Sequence, residues 1–457
     1  MIWSPFKYQL FALKHAIEHP FSGLLLDMGL GKTCIALTLV NYCINYDFCI
    51  RKPLIIAPKK VLENTWDAEI EKWDHLKHLK LVKIHGNLAQ KMEALKQKGD
   101  IYIVSRDNIA WLQRHYMSSW PFDMVVVDES SSFKNPSSQR FRALKMCRPF
   151  FKRSIIMTGT PIPNGLNDLW SQIYILDQGK RLGEFIEHYR REYLYPEPTA
   201  SFETRKYTCT ESNQQRIFSK IGDIAISMKS EHYLELPPLI ETIHKVSLPD
   251  DIKKRYKEFE KTQVLKAYDE AGKDIAALNA GALLTKLRQF ANGAIYENDS
   301  RNWVVEHDEK LEACDELIES IQTQGEPVLI SYQFQHDLER LKKKFGGREL
   351  QPGDVDKWNA GQLKIMYLQY DAGMGLNLQF GGCHAIHYGM NYNLESYLQF
   401  NKRLHRTGQK KPVYIHKMLA VGTVDMDVNR AVEGKRNGQD AMLEAVRALV
   451  DEHINNK

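Results

Sequence analysis

The stretch 24-LLLDMGLGKTCIALTLV-40 joins three pieces: a short apolar run, a turn carrying two glycines, and a segment of helix length. A continuous apolar strand feeding a helix implies a parallel sheet covered on both faces. Gly29 and Gly31 let backbone N–H groups approach phosphate oxygens that a side chain would block. A helix starting at Lys32-Thr33 points the positive end of its dipole at the same phosphates. Lys32 is then expected to reach the β- and γ-phosphates of a nucleotide, and Thr33 to offer its hydroxyl to Mg²⁺. The strict G-x-x-x-x-G-K-T spacing is broken by Leu26, so a plain Gly-Leu-Gly turn ahead of a core helix is the alternative.

The same rhythm repeats on either side. Short apolar runs end in polar or glycine-rich turns at 54-LIIAP, 101-IYIVS, 124-MVVVDE and 154-SIIMTGT, with helix-length segments such as 61-VLENTWDAEIEKW between them. In an open parallel sheet, chemistry gathers beyond the carboxyl ends of the strands. The strand ending in Asp128-Glu129 supplies one carboxylate to hold Mg²⁺ and a second to polarise an attacking water. Taken alone, that pair reads better as a capping or turn acid after a strand; the upstream phosphate loop in the same lobe reverses the balance. The strand leading into 157-MTGTP-161 ends in hydroxyls that suit sensing of the nucleotide state.

From about 180 to 300 long charged, helix-prone stretches dominate, and the strand rhythm returns at 327-PVLISYQ, 364-KIMYLQY, 384-HAIHYG and 413-VYIHKML. The expectation is an α/β chain of three parts: a first lobe over 1–185, a helical insert and bridge over 186–305, and a second lobe over 306–457 closed by a C-terminal brace helix. A chain of 457 residues is too long for one ordinary core. With 43% hydrophobic and 26% charged residues it is globular and not disordered. A net charge of +5 permits a local polyanion-binding groove without demanding one. The seven cysteines are scattered without a Cys-x-x-Cys pair, which argues against a zinc ribbon or redox site and for a reducing compartment. MIWSPFKYQL lacks the pattern of a signal peptide. No apolar run reaches the roughly 20 residues that cross a bilayer. A soluble protein of a prokaryotic or virus-infected cytoplasm is expected.

The order and wording of the motifs resemble the SWI/SNF-type ATPases, DNA translocases of the second helicase superfamily. The likeness runs from about residue 5 to about 435. It rests on 5-PFKYQLFAL, 27-DMGLGKT, 54-LIIAPKKVLENTWDAEIEKW, the acidic pair followed by 134-KNPSSQRFRAL, 158-TGTPIPNGLNDLW, 328-VLISYQFQHDLERL, 371-DAGMGLNLQ and 391-NYNLESYLQFNKRLHRTGQKKPV. The resemblance implies two RecA-like parallel-sheet lobes with a helical insert between them, hydrolysing ATP with Mg²⁺ held by Thr33 and Asp128. It implies that Gln9 reads the adenine edge and that Gly375 contributes to nucleotide binding. Arg403 and Arg406, three apart and so neighbours on a helix face, would meet the γ-phosphate as arginines that stabilise charge in phosphoryl transfer. Ser130, Ser131, Thr158, Gly159, Thr160 and Gln399 would couple hydrolysis to movement. Pro58, Lys59, Ser105, Arg106, Gln333, Gly373 and Asn377 would grip the backbone of double-stranded DNA without reading sequence. The expected protein is a monomer.

The chain also departs from the family's pattern. Ser130-Ser131 replace the usual Ala-His, and Asp371 stands where relatives often carry Lys. The helical insert is short and no chromatin-reading, zinc or nuclease module is expected, so the chain resembles a minimal prokaryotic or viral member. Two competing readings are a strand-separating DNA or RNA helicase, for which no obvious wedge stands out although the 180–240 segment with Tyr189, Tyr193 and Tyr195 has room for one, and a degenerate clamp that binds without turnover.

Overall fold

The computed structural model describes residues 1–196, 207–271, 277–297, 302–370 and 376–438. The chain divides into two compact units, the first containing Met1–Pro196 and Tyr207–Leu234, the second Glu235–Arg436.

The first unit is built on seven strands: β1 (Phe21–Leu26), β2 (Pro53–Ala57), β3 (Leu81–Ile84), β4 (Ile101–Ser105), β5 (Met124–Asp128), β6 (Arg153–Met157) and β7 (Ala225–Met228). Their order is β3-β4-β2-β5-β6-β1-β7, and every pairing is parallel. The apolar runs are continuous because both faces are buried. Val125 and Val127 face one core with Leu54, Ile56 and helix residues Leu144 and Ile173. Met124 and Val126 face the other with Leu24, Leu26, Ile35 and Trp66.

The second unit carries β8 (Leu239–Val246), β9 (Val328–Tyr332), β10 (Arg348–Glu349), β11 (Ile365–Gln369), β12 (His384–His387) and β13 (Val413–Ala420). Their order is β8-β13-β12-β9-β11-β10, again wholly parallel. Val328, Ile330 and Ile386 pack with Leu311, Ile318 and Leu338 on one face. Leu329, Met366 and Ala385 pack with Trp358 and Phe400 on the other. Residues 424–438 are helical, with Val428 and Val432 against Leu394 and Leu419; the rest of the expected C-terminal helix lies outside the described residues.

The fold class is the expected one, two parallel α/β sheets. The stretch 186–305 is more than helical, however. Its long helices Asp250–Ala271 and Ala277–Ala291 are accompanied by β7, which edges the first sheet, and β8, which edges the second. β7 is only four residues long and β8 carries its polar residues in pairs, Glu241-Thr242 and His244-Lys245, so neither shows a strand alternation within the charged surrounding sequence. No helix among the described residues is long and apolar enough to cross a membrane.

Candidate nucleotide site

Because the first sheet is wholly parallel, Leu26, Ala57, Ser105, Asp128 and Met157 all end along one edge, and the polar residues that follow them line it. The phosphate loop leaves β1 there. Lys32, first residue of the helix Lys32–Asn45, turns back so that Nζ donates to the carbonyl of Leu26 at 2.8 Å. Gly31 caps that helix at φ 78°, in the left-handed region. A Cβ on Gly31 would also lie 2.5 Å from Nε2 of Gln9, so both backbone and space require glycine. Gln9 is buried. Its Oε1 accepts from the Phe6 backbone at 3.0 Å and its Nε2 donates to the carbonyl of Leu30 at 3.3 Å, tying the first helix to the loop. Thr33 is half-buried on the first turn.

Asp128 ends β5 with its side chain buried. Its carboxyl is pushed up to about 7, first by desolvation and then by the charge of Glu129, against the pull of Lys32. Glu129 follows at φ 52°, a left-handed conformation that costs a non-glycine residue energy and aims its side chain away from the strand direction. Thr158 Oγ1 donates to Glu129 Oε2 at 3.5 Å, and the Thr160 backbone donates to Thr158 Oγ1 at 3.0 Å. Gly159 sits where a Cβ would touch the carbonyl of Leu26 at 3.4 Å and the backbone N of Met28 at 3.5 Å. The structure therefore brings the phosphate loop, the acidic pair and the Thr158–Thr160 turn onto one edge.

Ser130 finds a partner that sequence inspection missed. Its hydroxyl donates to Gln172 Oε1 at 2.8 Å, and Gln172 Nε2 donates to the carbonyls of Pro161 at 2.6 Å and Asp168 at 2.9 Å. Ser130 and Gln172 are both buried. Gln172 lies on the helix Leu169–Asp177, just after the 158-TGTPIPNGLNDLW segment, and a lone Gln within an apolar helix was the only signal available. The hydroxyls of Ser131, Ser132 and Thr160 are buried without a protein partner. A second missed residue is Ser230, which bonds Asp27 of the phosphate loop through both backbone and hydroxyl.

The candidate backbone-gripping residues of this unit lie along the same edge with unequal exposure. Pro58 is buried and Lys59 is exposed at the start of the helix Lys59–Lys72. Ser105 is buried and accepts from Asn108 Nδ2 at 2.8 Å, while Arg106 is half-buried.

In the second unit the helix Leu394–Asn401 ends before the arginines. Arg403 and Arg406 leave from the turns that follow, so they are not neighbours on a helix face as expected. Arg403 is buried and its carbonyl accepts from the Leu378 backbone at 3.3 Å. Arg406 donates to the carbonyl of Leu376 at 3.2 Å, and burial lowers its guanidinium pKa from the ordinary value. Gln409 holds this segment to the preceding loop, with Nε2 donating to the carbonyls of Gln379 and Gly382, each at 3.0 Å. Gln399 is buried and donates to Glu395 Oε1 at 3.2 Å within its own helix. Gln333 is half-buried in the turn after β9, and Asn377 is exposed. Asp371, Gly373 and Gly375 lie outside the described residues.

Comparison with known proteins matches residues 8–294 to the SNF2-related domain. The chain is 32% identical to a putative protein of Acyrthosiphon pisum secondary endosymbiont phage 1, over 97% of this chain and 99% of that one. It is 27% identical to an uncharacterized ATP-dependent helicase of Mycoplasma genitalium, over 98% of this chain but 42% of the helicase. With a probable chromatin-remodeling complex ATPase chain of Oryza sativa subsp. japonica it shares 25% identity over 96% of its own length, again 42% of the relative's. A solved Sulfolobus solfataricus SWI2/SNF2 ATPase core in complex with dsDNA is 21% identical, covering 98% of this chain and 96% of that one at a TM-score of 0.44. The family match spans more than half of the sequence and includes the phosphate loop, the acidic pair and the Thr158–Thr160 turn: the chain belongs to the SNF2-related family of helicase-like ATPases.

Proposed function

We propose that this protein is an ATP-driven translocase on double-stranded DNA that moves along the duplex backbone without separating its strands. The observation that carries the reading is the single edge of the first sheet on which Lys32, Asp128, Glu129 and Thr158 meet, with Thr158 bonded to Glu129. Lys32 neutralises phosphate charge, Glu129 orients the attacking water, and Thr158 holds Glu129 in the position its strained backbone sets. Arg403 and Arg406 are assigned to the charge that builds on the transferring phosphoryl group.

The residues present fit a nucleotide with Mg²⁺. Gly29 and Gly31 offer a backbone cradle, with open space where a Gly29 Cβ would stand. Thr33 and Asp128 would hold the ion, which when bound supplies charge neutralisation for phosphoryl transfer.

Double-stranded DNA is assigned as the track because the 134-KNPSS and 405-HRTGQ wording belongs to the translocase branch, and because the relatives include proteins named as helicases and chromatin-remodelling ATPases. Strand separation has less support. Tyr189 and Tyr193 are buried, and Tyr189 OH donates to the carbonyl of Leu166 at 2.9 Å, so of the three tyrosines only Tyr195 is exposed. The deciding experiment measures ATPase rate with duplex, single-stranded, forked and RNA ligands at fixed salt. Stimulation by blunt duplex is expected. Equal rates with and without duplex, or stimulation by RNA alone, would overturn the reading. Displacement of a third strand from a triplex, with no opening of a tailed duplex, separates translocase from helicase.

A further inference from the structure

The phosphate loop is clasped by a segment far away in sequence. β7 runs parallel to β1 with Met228 opposite Leu26, so the residues after β7 emerge beside the loop. The Asp27 backbone N–H donates to the carbonyl of Met228 at 2.9 Å. The Asp27 carboxylate divides its oxygens. Oδ1 accepts from the Met28 backbone at 2.8 Å, whereas Oδ2 accepts from Ser230 Oγ at 2.6 Å and the Ser230 backbone at 3.3 Å. A hydroxyl on a carboxylate at that distance is a charge-assisted bond, stronger than its neutral counterpart. Ser230 is itself buried. It opens the helix Ser230–Tyr233, whose last ring packs on Tyr8 with centroids 5.2 Å apart. Tyr8 precedes Gln9, which holds the other end of the loop through Leu30. Two residues beyond this helix, at Glu235, the chain passes into the second unit.

We infer that Ser230 is a positioning residue that transmits nucleotide occupancy of the phosphate loop to the segment 229–234, the exit of the first unit. The inference rests on the assignment of Lys32 and Gly31 to a nucleotide site. A nucleotide that orders the loop orders Asp27 with it. The doubly bonded Asp27 Oδ2 then fixes Ser230 and the short helix that leads out. In this arrangement the loop and the exit segment share one state. A purely structural serine would steady the exit segment equally with and without nucleotide.

Hydrogen exchange of the full-length protein, with and without Mg²⁺ and adenylyl-imidodiphosphate, tests this. With the analogue tenfold above its Kd, wild-type amides in 28–36 and in 229–234 should both exchange about tenfold more slowly. In Ser230→Ala the protection of 28–36 should remain and that of 229–234 should fall below about twofold; Ser230→Thr, which keeps the hydroxyl, should restore it. Retained protection of 229–234 in Ser230→Ala overturns the inference. So does a wild-type protein protected at 28–36 but not at 229–234, a result that needs no variant. Absence of protection at 28–36 in the wild type would instead sink the nucleotide site itself.

Discussion

The edge of the first sheet and the core of the second use buried polar groups in opposite ways. At the edge, Asp128 is held beside Glu129 with little solvent, and the fold bears the repulsion. In the second unit Lys310 is fully buried and answered by an ion pair to Asp425 and a 2.9 Å bond to Asn292 Oδ1. Asn292 in turn donates to Asp337 Oδ2 at 2.9 Å, and Asp425 accepts from the Ala420 backbone at 3.1 Å. On the proposed function, the first arrangement would keep charge poised for a substrate, at a cost in stability. The second compensates charge internally and leaves nothing to react. Burial of polar residues is therefore no guide to chemistry unless their partners are counted.

The comparison breaks most visibly in turnover. Lys32→Ala and Glu129→Gln should each reduce duplex-stimulated ATP hydrolysis by about 10³-fold, read by steady-state phosphate release. Both variants should stay folded, because each removes part of a strained cluster and neither empties a core. Near-normal activity in either would show that the edge is built like the second core, for structure. Lys310→Met makes the converse claim. Leaving Asp425 buried and unpaired should cost about 3–5 kcal/mol in urea denaturation. Lys310→Met with Asp425→Leu should recover most of that loss, since no orphaned charge remains.

A third contrast concerns protons. His244, His416 and His384 form a hydrogen-bonded row across β8, β13 and β12, with nitrogens 3.0 Å and 3.1 Å apart. Desolvation, then the neighbouring imidazoles, pushes His416 down to about 3, and His244 and His384 are also lowered. Glu326 pulls His384 back toward protonation and Lys411 opposes it. With folded values below the unfolded value near 6.5, the unfolded chain binds protons first as pH falls. Stability from this row is thus complete above about pH 6.5 and lost progressively below it, by at most about 1.4 kcal/mol per pH unit for buried His416 and by less for the more exposed His244. Denaturation midpoints at pH 7 and pH 5 should differ accordingly, and His416→Gln should flatten the difference. An unchanged slope in that variant would remove the row from the account.

Much of the first unit was legible because its information is local. A continuous apolar run ending in Asp128-Glu129, or in a glycine turn ahead of Lys32-Thr33, states strand, turn and chemistry within a dozen residues. The parallel sheet then does the rest by placing every strand end on one edge. What could not be read depends on pairing across distance. β7 is four residues, AISM, without a pattern of its own, yet it brings Ser230 to Asp27. The arginines were expected on one helix face because they stand three apart, but the helix stops at Asn401 and a 3.3 Å bond from the Leu378 backbone to the Arg403 carbonyl ties the following turn to a loop that no periodicity signals. Ser130 was expected to couple through a hydrogen bond of its hydroxyl; its partner, Gln172, stands 42 positions away.

That pair gives the smallest effect and the sharpest test of whether the edge is coupled. Ser130→Ala leaves Gln172 Oε1 buried without its donor, and Gln172→Leu leaves the Ser130 hydroxyl and two carbonyls short of partners. Each single change should cost about 1–3 kcal/mol. The double variant leaves neither the Ser130 hydroxyl nor Gln172 Oε1 orphaned, so it should recover that part of the loss, with the Pro161 and Asp168 carbonyls still lacking the amide donor. If the bridge from Ser130 to Pro161 only fills the core, the double variant should recover melting temperature and the ratio of duplex-stimulated to basal ATPase together. If it couples the acidic pair to the Thr158–Pro161 turn, stability should return while the ratio stays several-fold low, on the order of the 1–3 kcal/mol typical of coupling between sites. The second outcome is the expected one. The bridge reaches the turn that holds Glu129 through Thr158, and an apolar pair can restore packing there but cannot restore the connection.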